Sequence, residues 1–555
     1  MHELPPFETH RVDNTPPPFE PRDLWADDAA LREGLAHAGV AAHAGAVQDY
    51  ARLAGDELYR LGFDANRDRP RLRTHDRQGR RIDTVEFHPA YHRLMELAKA
   101  HGVAGLSWHA AAGEPPPGAQ VARAALSYLH HQAEAGTSCP LTMTHAAVPV
   151  LRGVPALREW ADKAAAPYYD PRDVAMADKR GLPRGMGMTE KRGGSAVRAN
   201  PPTAMPLPGG DAYALVGHKW FFSAPMSDGF LVLAQAPGGL TCLLMPRRLD
   251  DGAKNAFRLV RLKDKLGDWS NASSEVEFCG ARAWPVGAEG RGVQTIIAMV
   301  MLTRLDCMLG AAAEVRMALA HALHHARHRV AFGRPLVAHP LMANVLADLS
   351  LESEAATAFA LHVAAAVERS AGDPQAAAYA RIATAAGKYW LCRRAPALVN
   401  EAQECLGGAG YVEESILPRL YRQAPLNSIW EGSGNIQCLD VLRALEREPG
   451  AMPALRFALE QAAARHPLLE REASRLQGLL AGAEQQGGAE ALEPRARLLV
   501  ERLALLLQAS TLFAVGSSLA GAFARSRLGG EHGLAMGTLP TDLDFDAILE
   551  RALPL

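Results

Sequence analysis

The feature that most constrains this chain is a double change in its hydrophobic period. From about residue 24 to residue 169, apolar residues recur three and four apart, as at Ala122, Ala125, Leu126 and Leu129, with Gly and Pro marking the turns. That is the spacing of amphipathic helices. Between about 186 and 287 it gives way to short β-rich runs at 213–216, 230–234, 241–245, 257–260 and 275–278, punctuated by Pro237-Gly238-Gly239 and Asp250-Asp251-Gly252. Helical spacing returns near Val293, where Leu341, Val345 and Leu349 step by four along one face and Glu352 and Glu354 follow. Pro374 opens a long Ala-rich helix predicted over 374–406 and capped by Gly407-Gly408. The order predicts a mostly α protein with a central β-barrel or antiparallel sheet domain and an extra C-terminal helical domain. Its expected units are 1–185, 186–290, 291–445 and 446–555, since 555 residues exceed what one core supports.

Composition excludes rather than identifies. With 48% hydrophobic and 22% charged residues the chain is an ordinary globular one, and a net charge of −2 leaves no general attraction for polyanions. Seven scattered cysteines without a C-x-x-C pair read as reduced thiols, and the first residues lack both a basic and an apolar segment, so a cytoplasmic protein without an export signal is expected. Residues 503–524 carry no charge and are long enough to span a bilayer, but Gln508, Ser510, Thr511, Ser517 and Ser518 favour a buried bundle helix and no membrane role. The Pro-rich residues 1–22 read as an extended arm, and 113–118 as a loop.

Three clusters carry chemistry. The first, Met186-Gly187-Met188-Thr189-Glu190-Lys191-Arg192-Gly193-Gly194-Ser195, reads as a loop entering the β domain. Its hydroxyls and glycines suit a flavin edge or phosphate oxygens, although in isolation a plain Gly turn explains it better. In the second, Gly217-His218-Lys219-Trp220-Phe221-Phe222-Ser223, an aromatic strand ends in a hydroxyl. It offers an apolar wall to a planar ring or, alternatively, ordinary core packing. The third, Ile429-Trp430-Glu431-Gly432-Ser433-Gly434-Asn435, places a carboxylate between an indole and a Gly-rich turn that opens a helix near Asn435. A carboxylate in an apolar cleft is hard to ionise and suits a general base; the alternative is a helix-start carboxylate that complements the dipole.

Together these segments resemble the acyl-CoA dehydrogenase family. Thr189, Glu190, Gly194 and Ser195 match its T-E-x-x-x-G-S flavin loop, Phe221-Phe222-Ser223 its W-I-T strand, and Trp430-Glu431-Gly432-Ser433 its Y-E-G-T turn. Arg329, Phe332 and Gly333 match R-x-Q-F-G, and Gly407-Gly408-Ala409-Gly410-Tyr411 matches G-G-x-G-Y. The runs G-M-G-M-T-E-K, G-H-K-W-F-F-S, R-L-K-D-K-L-G, P-R-L-Y-R and N-S-I-W-E-G-S-G-N resemble its AidB-type, alkylation-response branch.

The resemblance implies FAD between a β-barrel and a four-helix bundle, touched by Met186, Gly187, Met188, Thr189, Glu190, Lys191, Gly193, Gly194 and Ser195, by Phe221, Phe222 and Ser223, and by Ile429, Trp430, Gly432, Ser433, Gly434 and Asn435. It also implies Arg329 reaching FAD of a neighbouring subunit in a homotetramer built of dimers. The implied activity is FAD-dependent α,β-dehydrogenation of an acyl-CoA ligand, at most weak and isovaleryl-type, with Glu431 as base. The branch adds duplex DNA bound through the C-terminal domain and a part in the alkylation response.

Departures from the family bear on turnover: Phe221 stands for Trp, Ala224 for Asn, Ala331 for Gln and Ala196 for Asp, and Trp430 narrows the acyl pocket. No carboxylate occupies the earlier helix position near Thr303 that some relatives use. The DNA reading meets an acidic region: residues 444–555 hold 11 arginines and no lysine against 14 carboxylates, with Arg471/Arg475 and Arg495/Arg497/Arg502 as its basic groupings. His321, His324, His325 and His328 share a helix face but lack nearby acidic or thiol ligands in sequence, so no metal is expected. The alternative functions are an active dehydrogenase of short or branched acyl-CoA, or a nitroalkane-type flavin oxidase, in either case without a DNA role.

Overall fold

The computed structural model describes residue 7 and residues 9–109, 116–195, 201–486 and 488–554. Ala196, residues 113–115 and the extreme N-terminal residues lie outside that set.

The first section packs α1 (Ala29–His37), α2 (Ala44–Leu53), α3 (Tyr59–Arg67), α4 (Pro89–Ala100), α5 (Ala119–Ala133), α6 (Ser138–Arg152) and α7 (Arg158–Ala165). Helical spacing did not reveal the hairpin inside it, β1 (Arg71–His75) and β2 (Arg81–Glu86), whose antiparallel strands alternate exposed Arg with partly covered residues. Before α1 the Pro-rich arm runs along the far end of α8 (Gly292–His328): Asn14 brackets the Val330 backbone, and Phe19 stacks on His324 at 4.1 Å.

The β domain holds β3 (Arg184–Thr189), β4 (Thr203–Pro206), β5 (Tyr213–Ser223), β6 (Gly229–Ala236), β7 (Gly239–Pro246), β8 (Phe257–Leu262) and β9 (Ser273–Pro285). Pairings β5–β3, β3–β6, β6–β7, β7–β9 and β9–β5 form a closed circuit, mostly antiparallel, so the sheet curls into a barrel. Residues 184–189 are thus a strand, correcting the loop expected over the start of 186–195. Gly185 and Gly187 explain the misreading: they leave room for Phe230 and Phe222 rather than for a turn, since a side-chain carbon on Gly187 would stand 2.5 Å from the Phe222 ring.

The helices resume with α8, a two-strand clip of β10 (Val330–Ala331) and β11 (Arg334–Pro335), α9 (Pro340–Arg369), α10 (Pro374–Cys405), α11 (Leu417–Gln423) and α12 (Gly434–Arg447). Leu349 is buried on α9, but Leu341, on the same expected core face, is 83% exposed. The last section comprises α13 (Ala451–Ala463), α14 (Pro467–Gln486), α15 (Ala489–Leu492), α16 (Ala496–Ala514), α17 (Ala520–Arg527) and α18 (Phe545–Ala552). The uncharged run 503–524 is not one helix: Gly516, at φ +75°, breaks it between α16 and α17. Among the described residues, α8 is the helix long and apolar enough to cross a membrane, and 78% of that window is buried inside the protein.

α9 carries a buried acidic row that the last section neutralises. Arg527 binds Asp348 and Glu352, His532 meets Asp348 at 2.7 Å, Arg394 of α10 meets Glu352 at 3.0 Å, and Arg551 bridges Glu354 and Glu33 of α1. Asp348 is fully buried and Glu352 nearly so. Two such carboxylates are tolerable only because cations reach them.

Candidate functional site

The turn between α11 and α12 is held in a conformation its sequence would not choose. Glu431 has φ +57° and Gly432 φ +96°. A left-handed non-glycine residue costs about 1–3 kcal/mol, so the surroundings must impose it. Three helices do so through the backbone. The buried Lys388 of α10 donates to the carbonyls of Trp430 (2.7 Å) and Gly432 (2.6 Å). Arg304 of α8 donates to the Glu431 carbonyl at 3.1 Å, and Gln437 of α12 to those of Glu431 (3.0 Å) and Gly432 (2.9 Å). Behind them, Asp440 accepts from Arg304 and Arg381, holding both guanidinium groups in place.

With its carbonyls drawn inward, the turn presents the Glu431 side chain to α8. Thr303 Oγ1 donates to Glu431 Oε2 at 2.8 Å, and the residue is half-buried. The helix position that lacks a carboxylate therefore supplies a hydroxyl to the carboxylate of the later turn. Sequence reasoning saw Thr303 only as a vacancy and did not single out Lys388, Arg304 or Gln437. Their signal is a charge or amide set in an Ala-rich helix pattern, as in Ala386-Gly387-Lys388.

The barrel wall faces this turn across α6. β3 and β5 pair Met186 with Ser223 and Thr189 with Phe221. A register shift in β5 between Lys219 and Phe222 sends both of those side chains inward. Lys219 then forms a buried pair with Glu190 at 2.5 Å, and Phe222 packs on Phe230 at 4.4 Å between ring centroids. Glu190 and Phe222 thus have side chains turned into the barrel, and Gly187 serves Phe222; these three can meet a ligand only through the backbone, a correction to their expected part. Phe221 lies outside, 45% exposed. Met186 and Met188 are half-buried against the cluster that joins α6 to the barrel.

Beyond β3 a tight turn, closed by Gly193 N–H to Glu190 O at 2.9 Å, leaves Lys191, Arg192, Gly193, Gly194 and Ser195 exposed. Lys263 stands 3.3 Å above the Trp220 ring and 4.8 Å from that of Phe221, with Lys191 and Arg261 each 5.4 Å from Trp220. This face combines open aromatic rings with four cations, counting Arg192. The two walls meet at Cys139 of α6: burial pushes its thiol up to about 12, with Ser223 and Glu431 both close enough to influence it.

Other expected site residues lie apart from the Glu431–Thr303 contact. Arg329 ends α8, exposed and donating to Asn14 O at 2.6 Å. It is about 39 Å along the helix from Thr303 at 1.5 Å per residue. Ile429, Ser433 and Asn435 line the outer side of the turn, exposed, and Asn435 accepts from Arg497 of α16 at 2.8 Å. Ser433 N-caps α12 without a side-chain bond, and Gly434 opens the helix. Two of the four α8 histidines meet the arm, His321 at Glu20 (3.1 Å) and His324 at the Pro17 carbonyl (2.9 Å), while His328 bonds to the His324 carbonyl at 2.8 Å.

Comparison with known proteins matches three stretches of the chain. Residues 14–171 match the adaptive response protein AidB N-terminal domain, 185–280 the acyl-CoA dehydrogenase middle domain, and 290–446 the acyl-CoA dehydrogenase C-terminal domain. The chain is 46% identical over 491 residues to the putative acyl-CoA dehydrogenase AidB of Escherichia coli K12, which spans 87% of this chain and 89% of that one. The crystal structure of Caenorhabditis elegans ACDH-11 in complex with C11-CoA overlays with a TM-score of 0.85 at 24% identity, covering 97% of this chain and 95% of that one. An acyl-CoA dehydrogenase from Bacillus anthracis complexed with FAD gives a TM-score of 0.67 at 18% identity, covering 83% and 89%. At those identities the two structures speak for the fold alone.

Proposed function

Because this chain belongs to the acyl-CoA dehydrogenase family, in its AidB-like branch, we propose that it binds FAD and uses Glu431 as the base toward an acyl-CoA thioester. The observation that carries this reading is the imposed left-handed turn. Lys388, Arg304 and Gln437 force Glu431 to face Thr303 and the Cys139–Ser223 wall, and such strain persists where it serves a site.

The residues present fit FAD. The exposed face of Phe221 offers a flat apolar support, Ser223 a hydroxyl, and Lys191 and Arg192, beside the Arg261 and Lys263 that share Glu275, the charge that a pyrophosphate needs. The open Gly193-Gly194 turn and the start of α12 at Ser433-Gly434-Asn435 add backbone donors. Bound there, FAD supplies the acceptor for the hydride that leaves the β-carbon. The chain's own share is positional: Glu431 takes the α-proton, Thr303 orients its carboxylate, and the turn keeps the base fixed while the thioester is held. Glu431→Gln is expected to keep FAD bound and to abolish anaerobic bleaching by acyl-CoA; equal bleaching in the variant would remove Glu431 from the chemistry.

Arg329 supports a homotetramer. It is exposed far from its own Glu431, beside Val330, Phe332 and Leu341, which are 41%, 97% and 83% exposed in the single chain. Light scattering of the holoprotein tests the assembly. The likeness to the Escherichia coli protein supports a second role, duplex DNA binding in an alkylation response with low turnover. Arg471, Arg475, Arg495 and Arg497 are exposed, whereas Glu472 engages Arg502. Replacing Arg471 and Arg475 by Glu should abolish salt-sensitive retardation of duplex DNA while leaving the flavin spectrum intact.

A further inference from the structure

We propose, building on the dehydrogenase reading above, that Asn427, Glu314 and His131 form a buried bracket that locks the Trp430 indole beside the base and so sets the size of acyl chain the site admits. Trp430 packs on the main helical core and also on the cluster containing Cys139, Met143, Ala224, Met299 and Leu302. That second cluster joins α6, the barrel wall and the start of α8, the elements that carry Cys139, Ala224 beside Ser223, and Leu302 beside Thr303.

The ring is tied from behind. Trp430 Nε1 donates to Asn427 Oδ1 at 3.1 Å, Asn427 Nδ2 donates to Glu314 Oε1 at 3.4 Å, and His131 Nε2 meets the same oxygen at 3.1 Å. All three bracket residues are buried, Glu314 at 1% exposure. The His131 ring fits only because residue 310 is glycine: a side-chain carbon there would stand 2.8 Å from it. The backbone is fixed too, with Trp430 N–H on Leu426 O at 3.1 Å and its carbonyl on Lys388.

An aromatic side chain beside a channel can widen it by changing rotamer. Here rotation would strand the Nε1 donor and leave Asn427 Oδ1 unpaired in a buried site, which costs far more than a free rotamer change. The bracketed ring is a wall, and its position is set by residues that never touch the ligand. Asn427 is the positioning residue of the three, since it alone touches the indole.

The test uses the FAD-loaded protein labelled with 5-fluorotryptophan, its Trp430 fluorine resonance assigned by loss in Trp430→Phe. Flavin spectra are recorded with straight-chain thioesters from butanoyl-CoA to dodecanoyl-CoA. Asn427→Ala should move or broaden the Trp430 resonance and extend the responsive chain length, lowering KM for the longer thioesters about tenfold while kcat for butanoyl-CoA stays within about twofold. Asn427→Ser serves the same purpose if the alanine variant does not fold. Glu314→Gln, which keeps the acceptor oxygen, should behave as wild type. An unchanged resonance, or an unchanged length profile beside a responsive wild-type flavin, overturns the bracket. If no thioester affects any variant yet Asn427→Ala still moves the resonance, the dehydrogenase reading falls and the bracket stands as the lock on whatever the channel takes.

Discussion

Two regions of this molecule use cations to opposite ends. At the turn bearing Glu431, Lys388 and Arg304 point at backbone carbonyls and hold an unfavourable conformation. On α9, Arg527, Arg394 and Arg551 point at carboxylates and hold a whole section of chain in place. Removing Lys388 from the first region leaves the Trp430 carbonyl unpaired and the turn freer to relax; removing a cation from the second strands a buried anion. The first loss should therefore appear in chemistry and the second in stability.

The largest effect that would sharpen the contrast is expected for Arg527→Met. It leaves Asp348 and Glu352 short of a partner, and breaking a buried pair costs about 3–5 kcal/mol. Urea unfolding would measure it, and a loss below about 1 kcal/mol would break the comparison. Lys388→Met comes next: a stability loss of about 1–3 kcal/mol from the stranded Trp430 carbonyl, with flavin reduction by thioester falling about a hundredfold as Glu431 loses its aim. If stability fell as far as in Arg527→Met and activity in proportion, the two regions would not differ in kind.

Acid should separate them further. Burial pushes the Asp348 carboxyl up, but hydrogen bonds and charge from His532 and Arg527 outweigh it and hold the group below the usual carboxylate value; Glu352 is lowered likewise, by Arg394 and Arg527 against its burial. A depressed folded pKa gives stability that is present above the ordinary value, near 4, and lost as pH falls through the folded one. Wild type should thus lose its margin over Arg527→Met below about pH 4, read as converging urea midpoints. The smallest effect belongs to Arg497→Ala, which removes the exposed link from α16 to Asn435 and should cost below about 1 kcal/mol.

What could be read from sequence follows the same division. Long helices, β-rich runs and the Trp430-Glu431-Gly432 turn were legible because apolar period and glycine placement are local properties. β3 was not, because Gly185 and Gly187 look like a loop until Phe222 and Phe230 are seen beneath them. Nor was the inward side of β5, where one register shift moves Lys219 and Phe222 to the same face. Lys388 meets its carbonyls 42 and 44 residues away, and Arg527 its carboxylate 179 away, so neither role leaves a local trace. The resemblance named Glu431; only the fold shows what bends the chain around it.

The acidic row of α9 also has a consequence in time. Asp348 leaves the ribosome 179 residues ahead of Arg527, roughly 10–40 s at ordinary rates of synthesis. During that interval Glu352 of the nascent helix hairpin has only Arg394, and Asp348 and Glu354 lack the counter-charges of the last section, so their final burial waits for the tail. A nascent chain stalled before Arg527 should be held open and protease-sensitive, however much of the barrel has already closed.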